Sequence, residues 1–78
     1  RSDVDLMKYI RASLGDDYFT NLKIEKPLIE HFIYYVFAGG FERKKILKYG
    51  FCSDADLNRF QRFVLTRISS YRAPQTQR

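Results

Sequence analysis

The segment 28–38 constrains the fold of this chain more than any other, because apolar residues occupy almost every position in it. Pro27 precedes the segment, and proline is tolerated in the first turn of a helix, where its missing N–H needs no partner. On a helical wheel only Glu30, His31 and Tyr34 share a polar flank. Such a helix needs other elements around it, so the segment predicts the central helix of a bundle.

Residues 32–37 also have a high propensity for β structure, which makes a buried strand the alternative. A single strand would find no partner to pair with in the rest of this sequence, so we favour the helix. Gly39 and Gly40 end the element in either case.

Signals for shorter helices lie on both sides of this segment. Ser2 followed by acidic residues is typical of a helix start, and Gly15 is a suitable end for that first helix. Residues 16–22 predict a short second helix, and residues 41–49 predict a fourth helix that Gly50 ends.

The clearest helix signal is in the last third of the chain. Ser53 with Asp56 three residues later is a second capping pattern, and it opens a helix that we expect to run to about Tyr71, with Pro74 beyond its end. One face of this helix carries an apolar stripe that predicts contact with the core, formed by Leu57, Phe60, Val64, Ile68 and Tyr71.

These elements predict an all-α fold, a small bundle of four to five helices that ends in a long amphipathic C-terminal helix. We expect one helical domain over residues 1–72 and a polar tail or linker over residues 73–78. The chain has 78 residues, of which 45% are hydrophobic and 17% aromatic, so a core can form but remains small. We expect the sequence to be a domain of a longer protein, in which a partner adds to the buried surface.

Positive charge is concentrated in the second half of the chain. Residues 1–40 carry five Lys and Arg against six Asp and Glu, a net charge of −1. Residues 41–78 carry nine against three, a net charge of +6. A one-sided field of this kind attracts an acidic partner, either a nucleic acid or an acidic protein surface.

Helical spacing places part of this charge on one candidate binding face of the last two helices. Phe63 lies outside the apolar stripe, with Arg59 and Arg67 four residues away on either side, so it is a candidate for contact with a protein or a base. Two plainer interpretations stay open: neighbouring segments cover Phe63, and the lysines form an ordinary solvated face. The candidate partner-binding residues are Lys44, Lys45, Lys48, Arg59, Arg62, Phe63 and Arg67.

No constellation of residues suggests catalysis, a cofactor or a metal site. His31 is the only histidine and Cys52 the only cysteine, and we expect structural roles for both. The longest apolar stretch is about ten residues, too short to span a bilayer. We expect a non-enzymatic, intracellular protein, cytoplasmic or nuclear, because a single cysteine favours a reducing compartment.

Two stretches resemble the SAM domain family. Residues 47–51, followed by Leu57, Phe60, Val64 and Ile68, are similar to its short helix, glycine turn and long last helix. Residues 14–19 are similar to its Leu-Gly pair, acidic turn and aromatic. The resemblance implies a self-associating or partner-binding module, and some members of the family bind RNA hairpins.

Two functions follow as expectations. The first is a protein-interaction or self-association module of a larger regulatory protein, whose partner is an acidic protein surface or another copy of the chain. The alternative is a nucleic-acid-binding domain of helix-turn-helix or RNA-binding type, which uses the same basic face on the DNA or RNA backbone. Asp54 and Asp56 count against the alternative, because they repel phosphates at the start of the last helix.

Overall fold

The computed structural model describes the backbone of residues 2–76 and the side chains of residues 2–71. The described residues form five α-helices and one turn of 3₁₀-helix, and they contain no strand. The fold prediction, an all-α bundle with a long last helix, is confirmed. The helices are α1 (Asp3–Leu14), α2 (Asp16–Thr20), α3 (Ile29–Ala38), α4 (Lys44–Tyr49) and α5 (Asp54–Thr76), with the 3₁₀ turn (Lys26–Leu28) before α3.

The central element is α3, as its apolar sequence predicts. It packs against α1 on one side and α5 on the other. Pro27 lies in the 3₁₀ turn that precedes it, where a missing N–H leaves no donor unsatisfied. The strand alternative for residues 32–37 is wrong, because the apolar side chains of a helix find neighbours on several sides here. The buried residues of α3 are Ile29, Phe32, Ile33, Val36 and Phe37.

Both predicted capping patterns are present. The Asp5 backbone N–H donates to Ser2 Oγ over 3.2 Å at the start of α1. At the start of α5 the exchange is reciprocal: the Asp56 N–H donates to Ser53 Oγ over 3.1 Å, and the Ser53 N–H donates to Asp56 Oδ2 over 3.0 Å. Each bond satisfies a backbone donor that has no partner within a helix or at its entry.

The apolar stripe of α5 meets the core where aromatic rings dominate. Phe60 makes edge-on contacts with Phe37 and Phe41, with ring centroids 6.2 Å and 5.5 Å away. Edge-on pairs place the positive edge of one ring against the negative face of another. Phe60, Val64 and Ile68 are buried, while Leu57 and Tyr71 pack at the margin of the core. One cluster of buried apolar side chains includes residues from all five helices.

The structure differs from the sequence predictions at three helix ends. Helix α2 stops at Thr20, two residues before its predicted end. Helix α4 begins at Lys44 rather than at residue 41, because Phe41 leaves the helical path and stacks on Phe37 with a centroid distance of 5.8 Å. Helix α5 continues past Tyr71 to Thr76, so the backbone stays helical through the proline expected to lie beyond its end.

The predicted tail, residues 73–78, lies mostly outside the described residues, apart from the backbone as far as Thr76. In the part of the chain that is described, no helix combines the length and apolar content needed to cross a membrane.

Replacement of Phe60 by alanine tests the aromatic centre of the core. Because Phe60 is fully buried, we expect Phe60→Ala to lower the free energy of unfolding by about 3–5 kcal/mol in urea titrations. Phe60→Leu keeps most of the volume and should cost less than half as much. Leu65→Ala, at an exposed position of the same helix, should change stability by no more than about 0.5 kcal/mol. Equal losses for Phe60→Ala and Leu65→Ala would contradict this description of the core.

Candidate interaction surface

The three lysines of the candidate face all lie on the outer side of α4. Lys44, Lys45 and Lys48 are exposed, and none of them forms an ion pair with a described residue. The Lys48 ammonium group lies 5.5 Å from the centroid of the neighbouring Tyr49 ring. The Lys48 side chain is nevertheless exposed to solvent. Arg62 on α5 is also exposed and has no ion pair within the described part of the chain.

Arg59 does not point freely outward as its helical position predicts. Its guanidinium carbon lies 4.2 Å from the centroid of the Phe41 ring, and its Nη2 donates to Asp56 Oδ1 over 3.2 Å. The reason is the segment between α3 and α4, which brings Phe41 over this flank of α5. Part of the Arg59 charge is therefore already compensated within the molecule.

Phe63 is half-buried, and the same segment covers one side of it. Its ring meets Phe41 edge-on with centroids 5.7 Å apart, and Gly40 lies beside it. Residues of a neighbouring segment thus cover part of this ring, as the plainer interpretation of the sequence expects. This contact within the molecule accounts for the position of Phe63 outside the core-facing stripe, and no partner protein is needed to explain it.

Arg67 connects α5 to α3. Its guanidinium carbon lies 4.5 Å from the centroid of the Tyr35 ring. Its side chain passes directly over Gly39, so closely that a Cβ at residue 39 would overlap Arg67 Nε. The Nε atom is buried and has no hydrogen-bond partner among the residues that the structure describes. The seven candidate residues therefore fall into two groups. Arg59, Phe63 and Arg67 contact other elements of the fold, whereas the three lysines and Arg62 form no ion pair with a described residue.

Sequence reasoning missed the two most prominent aromatic residues of the surface. Tyr49 is 67% and Phe51 69% exposed, one on each side of Gly50. Gly50 has a φ of 70°, a left-handed conformation that suits glycine, and it ends α4 by turning the chain sharply. Glycine after a short helix is the signal in the sequence, but which way its neighbours point depends on how the turn packs. We call Lys44, Lys45, Lys48, Tyr49 and Phe51 together the α4 corner.

An apolar cleft lies directly behind Phe51, between α1, α4 and the turn that leads to α5. Its volume is about 250 Å³. Ser2 and Asp5 form its rim on the α1 side. The apolar walls come from Leu6, Tyr9, Ile46, Leu47, Phe51 and Cys52.

A second groove, which Phe51 also lines, has a volume of about 400 Å³. Lys45 and Arg59 both line it, which brings one residue of each group together. Tyr49 and Phe51 also line this groove, so the α4 corner separates two depressions of the surface.

The acids at the start of α5 serve the helix itself. The Ser53 backbone N–H, with help from the Ser53 hydroxyl and Arg59, holds the pKa of Asp56 below its ordinary value of 3.8, although partial burial opposes this. Asp54 is exposed in the first turn, where a negative charge suits the helix dipole. The backbone donors and the positive dipole at this helix start are therefore already matched by Asp54 and Asp56.

The remaining titratable candidates have structural partners. His31 Nδ1 lies 3.0 Å from the Tyr71 hydroxyl, which ties α3 to α5. Cys52 is buried, and that burial raises the pKa of its thiol, which leaves it poorly reactive. Among the described residues no group of three or more His, Cys, Asp or Glu side chains is arranged to hold a metal ion.

Comparison with known proteins returns no protein-family model, no curated protein and no solved structure that matches this chain. The resemblance of residues 47–51 and 14–19 to the SAM family stays a prediction.

The capping exchange at α5 gives a pH-dependent prediction. We expect Asp56→Ala to lower the free energy of unfolding by about 1 kcal/mol at pH 7, because the Ser53 backbone N–H loses its carboxylate acceptor and Arg59 loses its ion-pair partner. A lowered pKa in the folded state stabilises the protein above pH 3.8, and this contribution is lost as the pH falls through the folded value. The difference between the two proteins should therefore shrink below pH 3.8 in urea titrations. Asp54→Ala, which loses only a dipole contact, should show less than half the effect.

The contact between Gly39 and Arg67 predicts a change of sign in a double-mutant cycle. Gly39 has a φ of −82°, which alanine adopts without strain, so Gly39→Ala alone would ordinarily stabilise. Here the added Cβ displaces Arg67 from Tyr35, and we expect a loss of about 1 kcal/mol. In an Arg67→Ala background the same change should stabilise by about 0.4–1 kcal/mol. Additive effects in thermal unfolding would show that the two residues do not interact.

Proposed function

We propose that this chain is a protein-interaction module of a larger regulatory protein, and that its contact surface is centred on the α4 corner. The observation that carries the proposal is the exposure of Tyr49 and Phe51 beside three lysines that form no ion pair with a described residue. Exposed aromatic residues next to a concave apolar surface are typical of the residues that dominate binding energy in protein interfaces.

The size of the domain supports the same proposal. A chain of 78 residues buries a limited apolar surface, and a partner that covers Phe51 and the cleft behind it would add to that burial. The resemblance to the SAM family, which includes the Gly50-Phe51 turn, points to the same class of function. Self-association is the version of this function in which the partner is a second copy.

Nucleic-acid binding is the alternative function, and the unpaired lysines of α4 are the observation in its favour. Of the predicted basic face, Arg59 is paired with Asp56 and Arg67 is stacked on Tyr35, so fewer charges are available for phosphates. Asp54 and Asp56 occupy the end of α5 that a recognition helix would present to bases. We therefore favour a protein partner.

A capture experiment with matched variants tests the proposal. The immobilised chain is incubated with nuclease-treated lysate of its source organism, beside the variants Phe51→Glu and Leu65→Glu. Both positions are exposed to nearly the same degree. Helical spacing places Leu65 on the side of α5 away from Asp56 and Arg59, the two α5 residues that line the groove beside the α4 corner. We expect a protein, which includes a second copy of the chain, to be retained by the wild type and Leu65→Glu and lost with Phe51→Glu.

A parallel titration measures binding of a labelled DNA duplex and a labelled single-stranded RNA across a series of salt concentrations. Micromolar affinity with a steep salt dependence, together with no protein captured from the nuclease-treated lysate, would contradict the proposal and favour the alternative.

A further inference from the structure

We propose that the α4 corner binds an acidic peptide segment that carries one apolar anchor residue, an inference that rests on the proposed function and specifies its partner. The anchor enters the cleft behind Phe51, and the acidic residues of the segment lie along the lysines of α4.

The cleft has the size and chemistry of a site for a single side chain. Its volume of about 250 Å³ is below the range of about 300–1,000 Å³ that is usual for small-molecule sites. Leu6, Ile46 and Leu47 supply apolar walls, and the exposed ring of Phe51 closes one side. A leucine or phenylalanine side chain that enters would also cover the face of Phe51 that lines the cleft. Binding would therefore remove the anchor side chain and part of the Phe51 ring from water.

The lysines on the outer side of α4 favour an acidic segment. None of them lines the cleft, but Lys45 lines the second groove, which Phe51 also borders, so a segment that crosses Phe51 reaches both. Lys44, Lys45 and Lys48 have no ion pairs with described residues, and the nearby acids are already used. Glu42 Oε2 accepts a hydrogen bond from the Lys44 backbone N–H, and Asp56 is held by Ser53 and Arg59.

A second folded copy of the chain is a poorer complement, because half of the six acids in its first half already form ion pairs with arginines. Asp3 forms an ion pair with Arg43, in which Arg43 Nε lies 2.9 Å from Asp3 Oδ1. Asp16 and Glu30 both pair with Arg11, over 2.8 Å and 3.4 Å. Three carboxylates that could meet the lysines of a second copy are thus already paired within the fold, which disfavours self-association through charge alone.

The test uses three synthetic peptides of equal length and measures fluorescence anisotropy with the full chain. The first has a central phenylalanine between alternating Glu and Ser residues. The second replaces that phenylalanine by Ser, and the third replaces every Glu by Gln. We expect the first to bind about tenfold more tightly than either of the others, since it satisfies both the cleft and the lysines.

Variants of the chain then locate the site. We expect Phe51→Ala and the double variant Lys45→Glu/Lys48→Glu to weaken binding of the first peptide about tenfold. Leu65→Ala controls for loss of an exposed apolar side chain. Lys23→Glu/Lys26→Glu controls for the same change in net charge at exposed lysines elsewhere. Neither control should change the affinity more than about twofold.

Three outcomes would overturn the inference. Equal binding of the first and second peptides would mean that the surface attracts any polyanion. Equal losses for the two lysine pairs would remove the α4 corner as the site. Absence of peptide binding while a protein is still captured through Phe51, or while light scattering shows self-association that Phe51→Glu abolishes, would overturn the acidic segment and leave the proposed function standing.

Discussion

Burial of α3 is the interaction on which the rest of this structure depends. A helix with Phe32, Ile33, Val36 and Phe37 on several sides is unstable in water by itself, and it becomes stable only when α1 and α5 cover it. The apolar faces of those two helices are therefore fixed by what α3 presents. Because the whole core is one cluster, a loss at its centre is felt by all five helices.

Contacts in and around the turn between α3 and α4 explain why part of the positive charge is not available to a partner. Three arginines hold this region by stacking on aromatic rings, with Arg43 over Phe37, Arg59 over Phe41 and Arg67 over Tyr35. Arg43 Nη1 also donates to the carbonyl oxygens of Phe37 and Phe41, which closes the end of α3. Cation–π contacts contribute about 0.5–2 kcal/mol each. These three arginines therefore stabilise the fold in addition to contributing positive charge to the surface. Of the candidate face, the lysines of α4 and Arg62 remain without an ion pair among the described residues.

Sequence periodicity predicted the elements well and the surface poorly. The stripe of Phe60, Val64 and Ile68 is local information, since helical spacing alone places these residues on one face. The roles of Arg59 and Phe63 depend instead on Phe41, which is about twenty positions away in sequence and leaves the predicted helix to stack on Phe37. No helical wheel contains that contact. Exposure of Phe51 likewise depends on how the Gly50 turn packs.

The sequence by itself determined the helices, their caps and the core-facing stripe, because capping bonds and amphipathic spacing act over a few residues. It also determined the imbalance of charge, which is a property of composition. Only the tertiary structure decided which charges remain available, since ring stacking and ion pairing join residues far apart in the chain. It alone created the cleft behind Phe51, because its walls come from α1, α4 and the turn that follows.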